Sequence, residues 1–399
     1  MKTSPVQKSE RIVTLDIVRG VALLGILFAN MSFFKSPVYQ MQSLPGQISA
    51  FTDPFDEWTA FFIDVFVVGK FYPMFSLLFG LGFYLFYERL KHKELPAKKI
   101  YIRRLIFLII LGLAHLVFIW SGDILHTYAV TGFFLLFFVR RKAKTLLYWG
   151  ISLITVSAVV FFLLTTAGGF VISLKSGTAL ELEATNLVQA AHAIYSSGTY
   201  GEILSFRLTE EVIYIIINIF FTVPNILGIF LLGMYIGRRN LIQQPINHLP
   251  FWKKLQLISF IIGGPLAILY ACLQHGFFDL PYWLASGIAE GLNIFAGPLL
   301  MLFYVASAVL WLRRPHRTRL FQPIASVGKM ALTNYLCQSL IGVFIFYGFG
   351  LGFYGTVGPT AGALLTILIY SLQTVGSVLW LKYFNQGPLE KAWRIWTYR

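Results

Sequence analysis

Residues 12–34 read IVTLDIVRGVALLGILFANMSFF, an apolar stretch that is long enough to cross a lipid bilayer as a helix. Lys2, Lys8 and Arg11 precede it, as basic residues do in a signal peptide. The stretch is longer than the apolar region of a signal peptide, and it lacks a small-x-small cleavage site. We therefore predict an uncleaved signal anchor that forms the first transmembrane helix.

Apolar stretches of this kind recur along all 399 residues. The chain is 57% hydrophobic and only 12% charged, whereas soluble domains carry about 25% charged residues. This composition predicts an all-α, polytopic membrane protein that forms a single integral membrane domain over residues 1–399. The pattern predicts about ten transmembrane helices, at 12–34, 58–88, 104–120, 123–139, 145–167, 211–237, 254–274, 283–312, 322–347 and 357–381.

The basic residues indicate how these helices are oriented. Most of the 32 Lys and Arg residues fall in every second connection, at 1–11, 89–104, 140–144, 238–254, 313–319 and 382–399. The positive-inside rule assigns such connections to the cytoplasm, so both termini are expected there. The net charge of +15 therefore reports membrane topology, and the lipid bilayer, not nucleic acid, is the expected partner.

The second predicted span is too long for one continuous helix. Thirty-one residues would extend roughly 46 Å, against a hydrocarbon core of roughly 30 Å. The stretch from Gly69 to Pro73 is the natural break, because proline removes a backbone donor. Asp64 and Lys70 would then lie near an outer cavity and are candidates for substrate binding. Alternatively, Lys70 extends its charged end to the interface.

The third and fourth spans contain the best candidate for acid–base chemistry. They are joined almost directly at 121–123, so the tip of this hairpin is expected below the outer surface. His115 lies in the third span, and Asp123 and His126 share one helix face. A carboxylate beside an imidazole orients it and raises its basicity, as a general base requires. Alternatively, Asp123 caps the helix and His115 is a packed core residue.

Other polar residues in the spans also have two interpretations each. Asp16 and Arg19 are three residues apart, so they either pair at the interface or leave Arg19 to bind an anionic ligand. Asn30 and Asn334 are candidate substrate contacts, but they also suit hydrogen bonds between helices. No H-E-x-x-H or comparable ligand spacing occurs, so no metal site is expected. The long outer loop at 168–210 is expected to be a connector, with a stretch from Ala179 to Tyr195 that suits an interfacial helix.

Five separated motifs, taken together, resemble one family. They are Leu15-Asp16-x-x-Arg19-Gly20, the stretch from Lys70 to Gly80, Gly122 to His126, Gly328 to Ser339, and Gly387 to Tyr398. The chain resembles the YeiB-like family of bacterial inner-membrane proteins over nearly its whole length. That resemblance implies a location in the bacterial cytoplasmic membrane. The family is more distantly similar to membrane-bound acyltransferases such as heparan-α-glucosaminide N-acetyltransferase.

The distant resemblance implies transfer of an acyl group from cytoplasmic acyl-CoA, such as acetyl-CoA, to an extracytoplasmic or membrane-embedded acceptor. Asp16, Arg19, Gly20 and Asn30 match the motif of those enzymes, and the first three are expected to contribute to acyl-CoA binding. The catalytic histidine of those enzymes lies between the first two spans, whereas residues 31–70 here contain no histidine. Either His115 or His126 carries that role, or the fold no longer performs this chemistry.

Two other functions remain open from the sequence. A transporter or flippase for a small or lipid-like solute would use Asp64, Lys70 and Glu290 along its path. A non-catalytic scaffold would use its polar groups only to hold helices together. The acceptor or solute is expected to be a small molecule or a lipid. A homodimer is one of the oligomeric states that the sequence leaves open.

Overall fold

The computed structural model describes residues 12–37, 53–174 and 179–398, and every regular element within them is helical. This confirms the all-α class. The helices are α1 (Val13–Lys35), α2 (Pro54–Phe66), α3 (Phe71–His92), α4 (Ala97–Phe118), α5 (Leu125–Phe134), α6 (Ala143–Leu174), α7 (Ala179–Ser197), α8 (Tyr200–Phe206), α9 (Ile213–Arg238), α10 (Leu249–Gln274), α11 (Tyr282–Trp311), α12 (Pro315–Leu320), α13 (Gln322–Lys329), α14 (Ala331–Phe346), α15 (Pro359–Tyr383) and α16 (Pro388–Tyr398).

The number of long membrane spans is smaller than the ten predicted. Within the described residues, eight helical segments are long and apolar enough to cross a bilayer, or nine if α13 and α14 count as one span bent by 83°. The predicted span at 123–139 is the exception. It is the ten-residue helix α5 followed by a three-residue 3₁₀ turn, about 20 Å in all, which is shorter than the hydrocarbon core.

Helix α5 nevertheless returns the chain to the end of the bundle where α4 began. The Tyr101 hydroxyl, in the first turns of α4, donates to the Gly132 carbonyl at 3.2 Å. The Arg238 guanidinium, at the end of α9, donates to the carbonyls of Val139 and Arg141. Several basic segments therefore meet at one end, which we call the basic end: 89–104, 139–144, 238–239 and α16.

The predicted break in the second span is confirmed. Helices α2 and α3 are separated by the turn at residues 67–70, and Pro73 is the third residue of α3. Gly69 adopts a φ of 80°, a left-handed conformation that glycine reaches without steric cost. The turn at 67–70 thus follows the end of one helix, and the next begins at Phe71, two residues before Pro73.

Helix α1 lies in the centre of the bundle, against α3, α13, α14 and α15. It approaches α13 very closely, because a Cβ at Gly20 would clash with the Ile324 carbonyl oxygen and a Cβ at Gly328 with the Asp16 carbonyl oxygen. The Tyr370 hydroxyl of α15 donates to the Gly20 carbonyl at 2.8 Å. The close approach of α1 to α13 places the Asp16–Arg19 turn beside the end of α13 and the start of α14.

The predicted outer loop at 168–210 is mostly helical. Helix α6 continues to Leu174, and α8 starts at Tyr200 with a capping box between Thr199 and Glu202. The helix expected from Ala179 to Tyr195 is present as α7. The Tyr200 hydroxyl donates to the Phe118 carbonyl at 2.8 Å, so α8 packs against the end of α4. We call this side of the bundle the opposite end.

Candidate functional site

Asp123 lies between two histidines in the turn that joins α4 to α5. Its Oδ1 is 2.8 Å from His115 Nδ1, and its Oδ2 is 2.7 Å from His126 Nδ1. The backbone N–H of His126 also donates to Asp123 Oδ2 at 3.0 Å. All three side chains are buried, with at most 7% of any of the three residues exposed. The structure thus unites all three residues that were predicted to be catalytic.

The local sequence explains why this hairpin is so tight. Gly112 faces α5, and a Cβ there would clash with the His126 backbone nitrogen. Gly122 lies beneath the folded-back Trp120 ring, which a Cβ would also strike. Since Gly112 allows close backbone approach and Gly122 leaves room for the Trp120 ring, the carboxylate of Asp123 reaches back to α4 as well as forward to α5. Asp123 therefore bonds to the first turn of α5 and to His115 at once, so its capping contact is present, while its role in acid–base chemistry stays a prediction.

The Nε2 atoms of the two imidazoles differ in their hydrogen bonding. An ionised Asp123 accepts hydrogen bonds, so each Nδ1 carries the proton and each Nε2 is a potential base. His126 Nε2 is 3.2 Å from the Thr127 hydroxyl. His115 Nε2 is buried and has no hydrogen-bond partner among the described residues. Within the same residues, no group of His, Cys, Asp or Glu is arranged to hold a metal ion.

A cavity of about 610 Å³ extends from the basic end towards this hairpin. Its volume is in the range of small-molecule and cofactor sites, which is about 300–1,000 Å³. The inner part is lined by apolar and aromatic side chains, including Leu23, Phe75, Phe79, Ile124 and Tyr128. The cavity is therefore apolar on the side of the hairpin.

The mouth of the cavity is cationic. Its basic residues come from five different helices or their ends: Arg19, Arg89, Arg104, Lys329 and Arg394. Arg19 Nη1 is 3.1 Å from Asp16 Oδ1, as the spacing on α1 predicts, and Arg19 also faces the cavity. The guanidinium of Arg104 stacks on the Trp393 ring at 3.5 Å, so α16 forms part of the mouth.

Tyr335 connects the cavity with the histidine pair. It lines the cavity, and its ring centroid is 5.5 Å from that of His115. Its hydroxyl accepts from the Ile124 N–H at 3.3 Å and donates to the Gly122 carbonyl at 3.4 Å. The two histidine rings are not part of the cavity lining, so Tyr335 and Ile124 stand between them and the cavity.

Of the seven predicted binding residues, only Arg19 lines this cavity, and Asp16 does so only indirectly, as the partner of Arg19. Gly20 serves the close contact between α1 and α13. Asn30 is half-buried near the opposite end of α1. Asn334 is buried, and its Nδ2 donates to the Val327 carbonyl at 3.2 Å and to the Ser377 hydroxyl at 3.0 Å. These bonds favour the interhelical role of Asn334, and a binding role for Gly20, Asn30 and Asn334 stays a prediction.

Asp64 and Lys70 form a separate polar cluster at the break between α2 and α3. The Lys70 ammonium donates to the Asp64 carbonyl at 2.7 Å and lies 5.0 Å from the centre of the Tyr270 ring. The Asp64 carboxylate is 3.0 Å from His275 Nε2. Lys70 is fully buried. Substrate binding at this cluster and the alternative position of the Lys70 charge at the interface both stay predictions.

Sequence reasoning missed Arg89, Arg104, Trp393 and Arg394 as residues of this site. Arg89 and Arg104 lie in a segment that was interpreted only as a topology signal, and Trp393 and Arg394 lie in a motif that was used only for the family resemblance. The alternation of Trp and Arg in the last helix was the available signal, since these two residue types stack readily.

Comparison with known proteins gives the family. Residues 236–399 match a family model described as "Protein of unknown function (DUF418)". The chain is 33% identical to "Uncharacterized protein YxaH" of Bacillus subtilis (strain 168), across 99% of this chain and 96% of that protein. It is 30% identical to "Uncharacterized protein YeiB" of Escherichia coli (strain K12), across 98% and 97%. This chain belongs to the YeiB-like family.

The YeiB-like relatives match essentially from end to end. A third, the "Uncharacterized 39.9 kDa protein in amylase 3'region" of Bacillus acidopullulyticus, is 29% identical across 99% of this chain and 96% of its own length. No solved structure matches this YeiB-like chain. The family resemblance noted from five motifs is therefore confirmed.

Proposed function

We propose that this YeiB-like protein is a membrane-bound acyltransferase that uses acyl-CoA as its donor. The observation that carries the proposal is a cavity that leads from the cationic mouth at the basic end, between apolar walls, to Tyr335 and Ile124, which cover the His115–Asp123–His126 hairpin. The basic end is the side that the positive-inside rule assigns to the cytoplasm, where acyl-CoA is made available.

The chemistry of the cavity suits the two parts of such a donor. Arg19, Arg104 and Lys329 supply charge-assisted hydrogen bonds to phosphate groups at the mouth. The apolar inner part would hold the acyl chain and the thioester away from water. Tyr335 and Ile124 must then move to give the thioester access to the histidines.

The hairpin supplies a general base. His115 Nε2 would take the proton of an acceptor hydroxyl or amine as that acceptor attacks the thioester carbonyl carbon. The C–S bond then breaks, CoA leaves as a thiolate, and the imidazolium returns its proton to the sulfur. Asp123 orients the imidazole and stabilises its cationic form through the Nδ1 hydrogen bond.

The position of the hairpin suits an acceptor that arrives from the other side. His115 lies in the last turn of α4, close to α8 and the opposite end. Arg207 Nη1 donates to the Val117 carbonyl at 2.9 Å, so the segment that follows α8 contacts this same turn. Donor and acceptor would therefore approach from opposite ends of the bundle.

Native mass spectrometry of the purified protein with acetyl-CoA tests the donor site. We expect saturable binding that weakens at least tenfold in the Arg19→Gln, Lys329→Gln double variant, since two phosphate contacts are lost. A Lys254→Gln variant, which removes an exposed charge outside the cavity, should bind like the parent protein. Absence of binding to the parent, or equal binding by the cavity variant, would contradict the proposal.

Transport of a small or lipid-like solute is the second candidate. The broken span with fully buried Lys70 and the Asp64–His275 pair favours it, because transporters bind substrates at discontinuous helices. An inverted repeat would place a matching break in the second span of the other half. That span corresponds to α10, which is one uninterrupted helix, and the bent span of this half is α13–α14 instead. The break is not repeated at the matching position, so acyl transfer ranks first. If transport is correct, Lys70→Met abolishes solute movement, whereas Arg19→Gln has no effect.

A further inference from the structure

A second concave surface lies at the basic end, outside the acyl-donor cavity. This groove, of about 1160 Å³, is formed by the end of α3, the start of α4, the segment after α5 and the end of α9. Two acidic residues, Glu88 and Glu94, also line it. Its basic lining residues are Lys91, Lys98, Lys99, Arg103, Arg140 and Arg238. Six positive charges against two negative ones leave a strong excess of positive charge.

The groove and the cavity are distinct sites on different faces of the same two helices. Arg104 lines the cavity, whereas its neighbour Arg103 lines the groove. Likewise, Arg89 lines the cavity and its neighbour Glu88 lines the groove, because consecutive helix residues point about 100° apart. Changes to the groove therefore leave the cationic mouth of the cavity intact.

The groove continues into a surface that faces the hydrocarbon core. Ile102 of α4 lines the groove, and Ile106 and Ile110 follow it at four-residue spacing on the same helix face. Ile106 and Ile110 are exposed, as are Phe134 and Phe137 at the end of α5. A charged concavity thus lies directly above an apolar strip, as the headgroup and the acyl chains of a phospholipid would require.

We propose that this groove binds the headgroup of an anionic phospholipid, whose acyl chains lie along Ile106 and Ile110. The positive-inside rule accounts for basic residues in these connections, but it does not require them to converge on one concave surface. Basic recesses between transmembrane helices on this side bind anionic headgroups. The uncompensated charge selects an anionic lipid over a zwitterionic one.

Native mass spectrometry with phosphatidylglycerol and phosphatidylcholine tests the site on the full chain. The groove variant combines Lys98→Gln, Lys99→Gln and Arg103→Gln. The matched control combines Lys253→Gln, Lys254→Gln and Arg313→Gln, three exposed residues that do not line the groove. We expect the groove variant to lose phosphatidylglycerol affinity at least tenfold and the control less than twofold, with phosphatidylcholine binding equal in all three proteins.

A second pair of changes, Lys91→Gln with Arg140→Gln, removes charge from other elements of the same groove and keeps the test decisive if the first variant does not fold. Equal losses in groove and control variants would overturn the proposal, since binding would then follow net charge alone. So would full affinity in both groove variants. Displacement of phosphatidylglycerol by millimolar inorganic phosphate would also overturn it, because the site would then recognise phosphate without the lipid.

Discussion

At the scale of single residues, Asp123 holds two imidazoles that differ in what surrounds their outer nitrogens. His115 Nε2 has no hydrogen-bond partner among the described residues, whereas His126 Nε2 is near the Thr127 hydroxyl. If acyl transfer is the activity, His115→Gln should lower the release of free CoA from acetyl-CoA by about 10²–10⁴-fold, because a general base is lost. His126→Gln should have the smaller effect. Unchanged release in both variants would remove the hairpin from the mechanism.

A second residue-scale prediction concerns Gly20. Gly20→Ala should lower the free energy of unfolding by about 1–3 kcal/mol, because the added Cβ meets the Ile324 carbonyl in a closely packed contact. The measurement is thermal unfolding in detergent. Gly376→Ala provides the control, since a Cβ at Gly376 has no neighbour within 4 Å and the exposed position gains helix propensity. Equal stability of the two variants would mean that the α1–α13 contact relaxes freely.

At the scale of elements, the last helix, α16, supplies a side chain that caps another helix, α14. Glu390 of α16 accepts from the N–H groups of Leu332 and Thr333 at 2.8 and 3.1 Å, and from the Thr333 hydroxyl at 2.6 Å. Leu332 and Thr333 lie in the first turn of α14, where a carboxylate satisfies unpaired donors and the helix dipole. A single side chain therefore joins α16 to the bent pair α13–α14.

Replacing Glu390 should loosen this connection. Glu390→Gln should cost about 1–2 kcal/mol of stability and increase amide hydrogen exchange in α16 and the first turn of α14. The neighbouring exposed Lys391→Gln is the matched control and should exchange like the parent protein. Equal exchange in both variants would show that Trp393, whose indole donates to the Arg104 carbonyl at 3.0 Å, holds α16 without the cap.

At the scale of the whole molecule, the basic segments 89–104, 139–144, 238–239 and α16 lie at one end, so the orientation of the protein in the membrane has two alternatives. In a background with Cys272→Ala and Cys337→Ala, a cysteine introduced by Asp279→Cys should react with an impermeant maleimide in intact cells. Lys254→Cys should react only after the membrane is permeabilised. Both positions are exposed and lie at the opposite ends of α10. The reverse pattern would place the cavity mouth outside the cell and exclude cytoplasmic acyl-CoA as donor.

Much of this architecture was accessible from sequence. The apolar stretches located the helices that are long enough to cross a bilayer, the Gly69–Pro73 stretch located the break, and spacing placed Asp123 beside His126. These features depend on residues within a few positions of each other. The shortness of α5 was not accessible, because apolar composition alone does not show where a 3₁₀ turn ends a helix.

The sequence by itself determined the class of the protein, its family and its hairpin pair of histidines, since hydrophobic length, charge placement and local spacing are all recorded along the chain. Only the tertiary structure decided which side chains from distant parts of the chain meet. Arg19, Arg104 and Lys329 are far apart in sequence yet line one cavity, and Asn334 proved to be bonded between helices. The physical reason is that close contacts such as that of Gly20 with Ile324 decide how the helices pack, and packing decides what faces each cavity.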